Sequence, residues 1–126
     1  MNKILAGFLA GVVLAVVFGI YVFLRGKALV AFFKGVDEGI AAVADQTLFY
    51  LILGGFAAAS LFFGLISGVV YGLLGSPVNY RLVALGATVL FSILALVSKQ
   101  PLPGDKVVWN FAVGGVLGVL VPLLVG

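Results

Sequence analysis

The chain has 126 residues, of which 64% are hydrophobic and 9% charged, with a formal net charge of +3. A soluble domain carries about a quarter charged residues, and so short a chain could not hide this much apolar side chain from water, so lipid is the expected solvent for most of it. The chain has no Cys and no His, and its one Met is Met1; this excludes disulfides, thiolate clusters and the commonest metal, haem and proton-transfer ligand, so no bound cofactor is expected.

Ile4 to Leu24 runs without a charged residue. At about 1.5 Å per residue the run covers about 30 Å, one bilayer core. Met1-Asn2-Lys3 has the charge of a signal-peptide n-region, but the apolar run outlasts an h-region and no A-x-A site follows it, so a retained first transmembrane helix over about 4–24 is expected.

The sizeable connection is 25–47. Leu29, Phe32, Phe33, Val36, Ile40 and Val43 fall on one stripe at helical period, with Lys27, Lys34, Glu38 and Asp45 opposite. The pattern predicts an amphipathic helix over about 27–45. It follows a membrane exit and is too polar to span, so it is expected to lie in the interface; the rival reading is a docking helix for a partner protein. The adjacent carboxylates Asp37 and Glu38 point in different directions on a helix and do not make an acid/base pair.

Leu48 to Leu74 is the second apolar run, longer than a perpendicular crossing needs, so it is expected to tilt or protrude, with Gln46 and Thr47 at its start. Gly75-Ser76-Pro77 then has the chemistry of a tight helical hairpin: Gly past a helix end, Ser as N-cap, Pro at the first helical position. The third run is Pro77 to Val97. Two prolines and a glycine between 98 and 105 predict an extended connection, with Asp105 as N-cap of a fourth run over about 107–125. The expected fold is therefore an all-α integral membrane protein, one domain of four transmembrane helices over 1–126 with an interfacial helix between the first two.

The first and third connections carry Arg25, Lys27, Lys34, Lys99 and Lys106, and the other side carries Lys3 and Arg81. The excess of positive charge predicts that loops 25–47 and 98–106 are cytoplasmic and both termini outside. Tyr21, Tyr50 and Trp109 mark one interface, and Tyr71 and Tyr80 the other. Basic residues spread over loops point to topology and anionic lipid, not to nucleic acid.

Small residues recur at four-residue spacing in every span: Gly7, Gly11, Ala15 and Gly19; Ser60, Gly64, Gly68 and Gly72; Ala84, Thr88 and Ser92; Gly114 and Gly118. Such faces let helices approach closely in lipid, and Gly7, Gly11, Gly19, Gly64, Gly68, Gly72, Gly114 and Gly118 are the expected packing positions. The alternative is a pore lining or a slot for a flat ligand. Asn79, Arg81 and Asn110 are the candidate polar contacts with a partner, a lipid or a solute. Arg81 sits at the helix end whose dipole favours negative charge. It either snorkels into the interface or meets a partner there. Asn110, in line with Gly114 and Gly118, is suited to a hydrogen bond across helices or to a permeating solute.

No Asp, Glu, Lys or Arg falls in the middle of a span, which argues against proton-coupled transport. Ser60, Ser67 and Ser92 have no His or intramembrane carboxylate to activate them. The expected function is thus non-enzymatic: an accessory subunit that packs through small-residue faces against other membrane subunits or copies of itself. The alternative is a small homo-oligomeric channel or facilitator for an uncharged or weakly polar solute. An intramembrane enzyme ranks below both.

Overall fold

The computed structural model describes residues 2–36, 38–98 and 103–126. Asp37, Lys99 and the rest of 99–102 lie outside the described residues, and with them the adjacent-carboxylate reading and most of the third connection. Among these described residues five helices follow in order: α1 (Lys3–Lys34), α2 (Glu38–Ala41), α3 (Asp45–Leu74), α4 (Pro77–Val97) and α5 (Pro103–Val125). All four long helices are long and apolar enough to cross a membrane.

The separate amphipathic helix expected over 27–45 does not form. Its first part continues α1, unbroken from Lys3 to Lys34, and only the short α2 follows. The reason is that the apolar stripe finds protein. Leu29 is fully buried, and Phe33, Ile40 and Val43 pack with it against Leu48, Phe49 and Ile52 of α3. Gly26 is buried, and a Cβ there would stand 2.7 Å from the Phe49 ring, so this glycine makes room for the partner helix. An ion pair between Lys34 and Asp45 closes the connection. With 32 residues in α1, the helix runs about 13 Å past Arg25, paired with the start of α3.

The turn between α3 and α4 has the expected backbone. Gly75 adopts φ 69°, the left-handed conformation that closes a helix, and its N–H donates to the Tyr71 carbonyl at 3.0 Å. Ser76 occupies the N-cap position of α4 with Pro77 after it, although its hydroxyl makes no cap bond. Asp105 is not an N-cap: α5 begins at Pro103, which places Asp105 in the first turn, where its carboxylate is available to α1.

The closest packing is between α1 and α3. A Cβ on Gly7 would stand 2.9 Å from Gly68 Cα, and one on Gly64 would stand 2.7 Å from Gly11 Cα. Neither distance is one that a real Cβ tolerates, so the two backbones touch across all four glycines. In α4 and α5 the contact is softer. Gly114 faces the Thr88 side chain, and a Cβ on Gly118 would meet the Ala84 Cβ at 3.3 Å. Helix α1 also packs on α5. An aromatic group forms around this contact, with ring centroids 5.2 Å apart for Phe18–Phe56 and 6.2 Å apart for Tyr21–Trp109. The helices therefore stand in the order α3, α1, α5, α4, and α3 and α4 touch only sparsely despite sharing the shortest connection.

Gly64→Leu is expected to lower stability by about 3 kcal/mol, because the atoms in its way are main chain and cannot move aside to admit it. A Cβ added to Gly54 would have nothing within 4 Å among the described residues. Gly54→Ala should leave stability unchanged or raise it by up to about 1 kcal/mol. Thermal unfolding in a mild detergent measures both.

Candidate functional site

Because α3 and α4 diverge from their turn, a crevice of about 560 Å³ opens between them, floored by α5. Its walls are mainly apolar: Phe63 and Ile66 from α3, Val83 and Phe91 from α4, Val113 and Leu117 from α5. At the turn end it is closed by Tyr80, which is buried. The Tyr80 hydroxyl donates to the Leu117 carbonyl at 3.2 Å and accepts from the Ser67 hydroxyl, so one side chain ties α4 to both α5 and α3. The ring also packs edge-on against Tyr71, centroids 5.3 Å apart.

Polar groups along the crevice differ in how they are satisfied. The Ser60 hydroxyl donates to Phe56 O at 2.7 Å and the Thr88 hydroxyl to Ala84 O at 2.8 Å, each within its own helix. Asn110 lines the wider end, half-buried, and its carboxamide has no hydrogen-bond partner among the described residues. An amide left unpaired in apolar surroundings costs a few kcal/mol, so a polar group of a ligand or a water is expected to meet it.

The wider end lies next to the first and third connections. Arg25 Nη2 donates to Asp105 Oδ2 at 2.9 Å, joining the end of the apolar part of α1 to the first turn of α5. The Asp105 side chain is 12% exposed and that of Arg25 47% exposed, so the pair orients the helices more than it stabilises them. Both connections therefore emerge at the same end of the bundle. At the opposite end, Lys3 Nζ lies 5.6 Å from the centre of the Tyr71 ring.

Of the glycines singled out by spacing, Gly7, Gly11, Gly64 and Gly68 lie in the α1–α3 contact, and Gly114 and Gly118 face α4. Gly19 and Gly72 are looser, with only Leu53 Cδ1 at 4.0 Å and Lys3 Cδ at 3.7 Å nearby. Asn79 and Arg81 are exposed on the first turn of α4, and the structure does not bring them to the crevice. Among the described residues neither has a polar side-chain partner. Tyr80, between them, is the residue that sequence spacing passes over: its place near a helix end suggests an interfacial aromatic, and it is instead the buried stopper of the crevice. Its position three residues after Pro77, across the short turn from Ser67 and Tyr71 of α3, is the signal that points to it. Among the described residues no three Asp or Glu stand close enough to hold a metal ion.

Tyr80→Phe should lower stability by about 1 kcal/mol through loss of the bonds to Ser67 and Leu117. Ser67→Ala should cost less, because the bond to Leu117 survives. Unfolding of both variants in the same detergent gives the comparison. No family model, no curated protein and no solved structure matches this chain.

Proposed function

We propose that the chain resides in a membrane as a non-enzymatic subunit of a larger assembly, held there through helix faces that its own fold leaves bare. The observation that supports this reading is on α3. Among the described residues nothing lies within 4 Å of a Cβ position on Gly54 or Gly55, and Ala58 and Ala59, one turn on, are exposed as well. The same helix uses Gly64 and Gly68 for contact with α1, so it carries one small-residue face in use and another unoccupied. In lipid, burial of apolar surface by itself drives little association, and close approach at small residues is a main route to it. Beside Gly55 a shallow apolar hollow of about 400 Å³ is bordered by Phe33, Leu51 and Phe56. The partners in this reading are membrane lipids and other membrane subunits, alone or together with further copies of the chain, with no role for nucleic acid.

The channel alternative draws on Asn110 and the hydroxyls along the crevice. Against it, Ser60 and Thr88 already donate within their own helices and Tyr80 closes one end. A path for solute would have to run between copies. A catalytic reading lacks a nucleophile paired with a base. In the orientation that accompanies the subunit reading, the end carrying Arg25, Lys27, Lys34 and Lys106 faces the cytoplasm and the termini face outside.

Mass measurement of the gently solubilised protein should show a heavy assembly containing other chains. Gly54→Leu should release a folded monomer with unchanged helix content. A ring made only of identical chains would overturn the subunit reading in favour of the channel. Because the chain has no Cys, Lys27→Cys provides a single label site. It should react with a membrane-impermeant maleimide only after the cells are permeabilised; labelling of intact cells would reverse the orientation.

A further inference from the structure

The crevice between α3 and α4 has the dimensions and polarity of a site for one amphiphile. Along α4 it extends from Tyr80 to Phe91, about 16 Å at helical rise. The Tyr80 side chain fills the end of that span, and from Asn110 to the Leu117 carbonyl that its hydroxyl meets α5 rises about 10 Å, so the crevice takes the first two-thirds of an acyl chain that reaches about 15 Å, one leaflet of a bilayer core. The volume of about 560 Å³ lies within the range of small-molecule sites, about 300–1,000 Å³. A whole transmembrane helix, about 10 Å across with its side chains and about 30 Å long, is several times larger.

Polarity is graded along the same axis. The narrow end is stoppered by Tyr80, whose hydroxyl is already committed to Ser67 and Leu117. The middle is hydrocarbon and aromatic apart from the Ser60 and Thr88 hydroxyls, which donate within their own helices. The wide end presents the Asn110 carboxamide, which has no hydrogen-bond partner among the described residues. Lys106, four residues earlier on the same face of α5, stands one turn further out. We infer that the crevice binds one phospholipid through a single acyl chain, with the ester region at Asn110 and the phosphate facing Lys106. The carboxamide N–H donates to an ester carbonyl, the ammonium provides the opposite charge for the phosphate, and the enclosed part of the tail ends against Tyr80. The inference rests on the membrane residence proposed above, which the Lys27→Cys labelling tests separately; it does not depend on a protein partner.

Trp109 is the only tryptophan and lines the wide end, so it reports occupancy directly. The probe is phosphatidylglycerol brominated along one acyl chain, titrated into delipidated protein in a mild detergent. Quenching of Trp109 should saturate at one lipid per chain. Ala87→Phe, which puts a ring into the crevice from α4, should weaken apparent affinity at least about fivefold, while Gly86→Phe, on the open outer side of α4, should not. Lys106→Gln should weaken binding about threefold. Quenching that rises in proportion to lipid without saturating overturns the site, and this outcome needs no variant to fold. Equal, saturable quenching by a brominated alkane overturns the roles of Asn110 and Lys106. Unchanged affinity in a folded Ala87→Phe places the lipid elsewhere and also overturns the inference.

Discussion

Backbone contact between α1 and α3 is the constraint on which the other arrangements depend. Gly7 and Gly11 meet Gly64 and Gly68 at distances where a Cβ on either side would collide with main-chain atoms. Such contact gathers many small dispersion terms and brings backbone dipoles close, the main source of helix association when the surroundings are as apolar as the helix itself. Once these four residues set the register, the antiparallel pair stays in phase toward its far end. Gly26 then lies under Phe49, Leu29 is buried beside Leu48, and Lys34 reaches Asp45. The amphipathic stripe after Arg25 has a protein partner because the pair is already aligned when it arrives there.

The same contact explains why the bundle is open on one side. Helix α3 faces α1 with its glycine surface, and α4 turns Ala84 and Thr88 toward Gly118 and Gly114 of α5. Two well-packed pairs result, joined through α1 and α5 by the aromatic group of Phe18, Tyr21, Phe56 and Trp109. Between α3 and α4 the ring contact is the single Tyr71–Tyr80 pair beside their turn. Tyr80 spans the narrow end by hydrogen bonds, and further along the gap widens into the crevice. Small residues that do not serve either pair, Gly54 and Gly55 above all, are left facing outward.

Charge is arranged to suit these contacts. The ion pairs Arg25–Asp105 and Lys34–Asp45 both lie at the end where the first and third connections emerge. Each is at least partly exposed, so its energetic worth is small and screened by salt. Their effect is directional: one links α1 to α5 and the other closes α1 onto α3. Asp105 illustrates the point, since a residue suited by type to capping a helix serves instead as the acceptor for a guanidinium on another helix.

Composition and charge-free run length determined by themselves that the chain forms four long apolar helices, because these properties depend only on residue type and on the rise of an α-helix. The Gly75-Ser76-Pro77 turn was legible for the same local reason: only glycine takes the left-handed conformation without strain, and proline suits a first helical turn. The extent of α1 was not legible, because an amphipathic stripe states that one face will be covered and not whether lipid or Phe49, Leu48 and Ile52 will cover it. The role of Asn110 was half-visible: its spacing put it in line with Gly114 and Gly118, but that it borders a crevice follows from α4 leaning away from α3. Tyr80 has the sequence position of an interfacial aromatic, and only the placement of its hydroxyl between Ser67 and Leu117 makes it a closure. Which small residues meet a neighbour and which stay bare was decided only in the tertiary structure, because every four-residue repeat offers the same kind of face and its partner is set by how all the helices pack together.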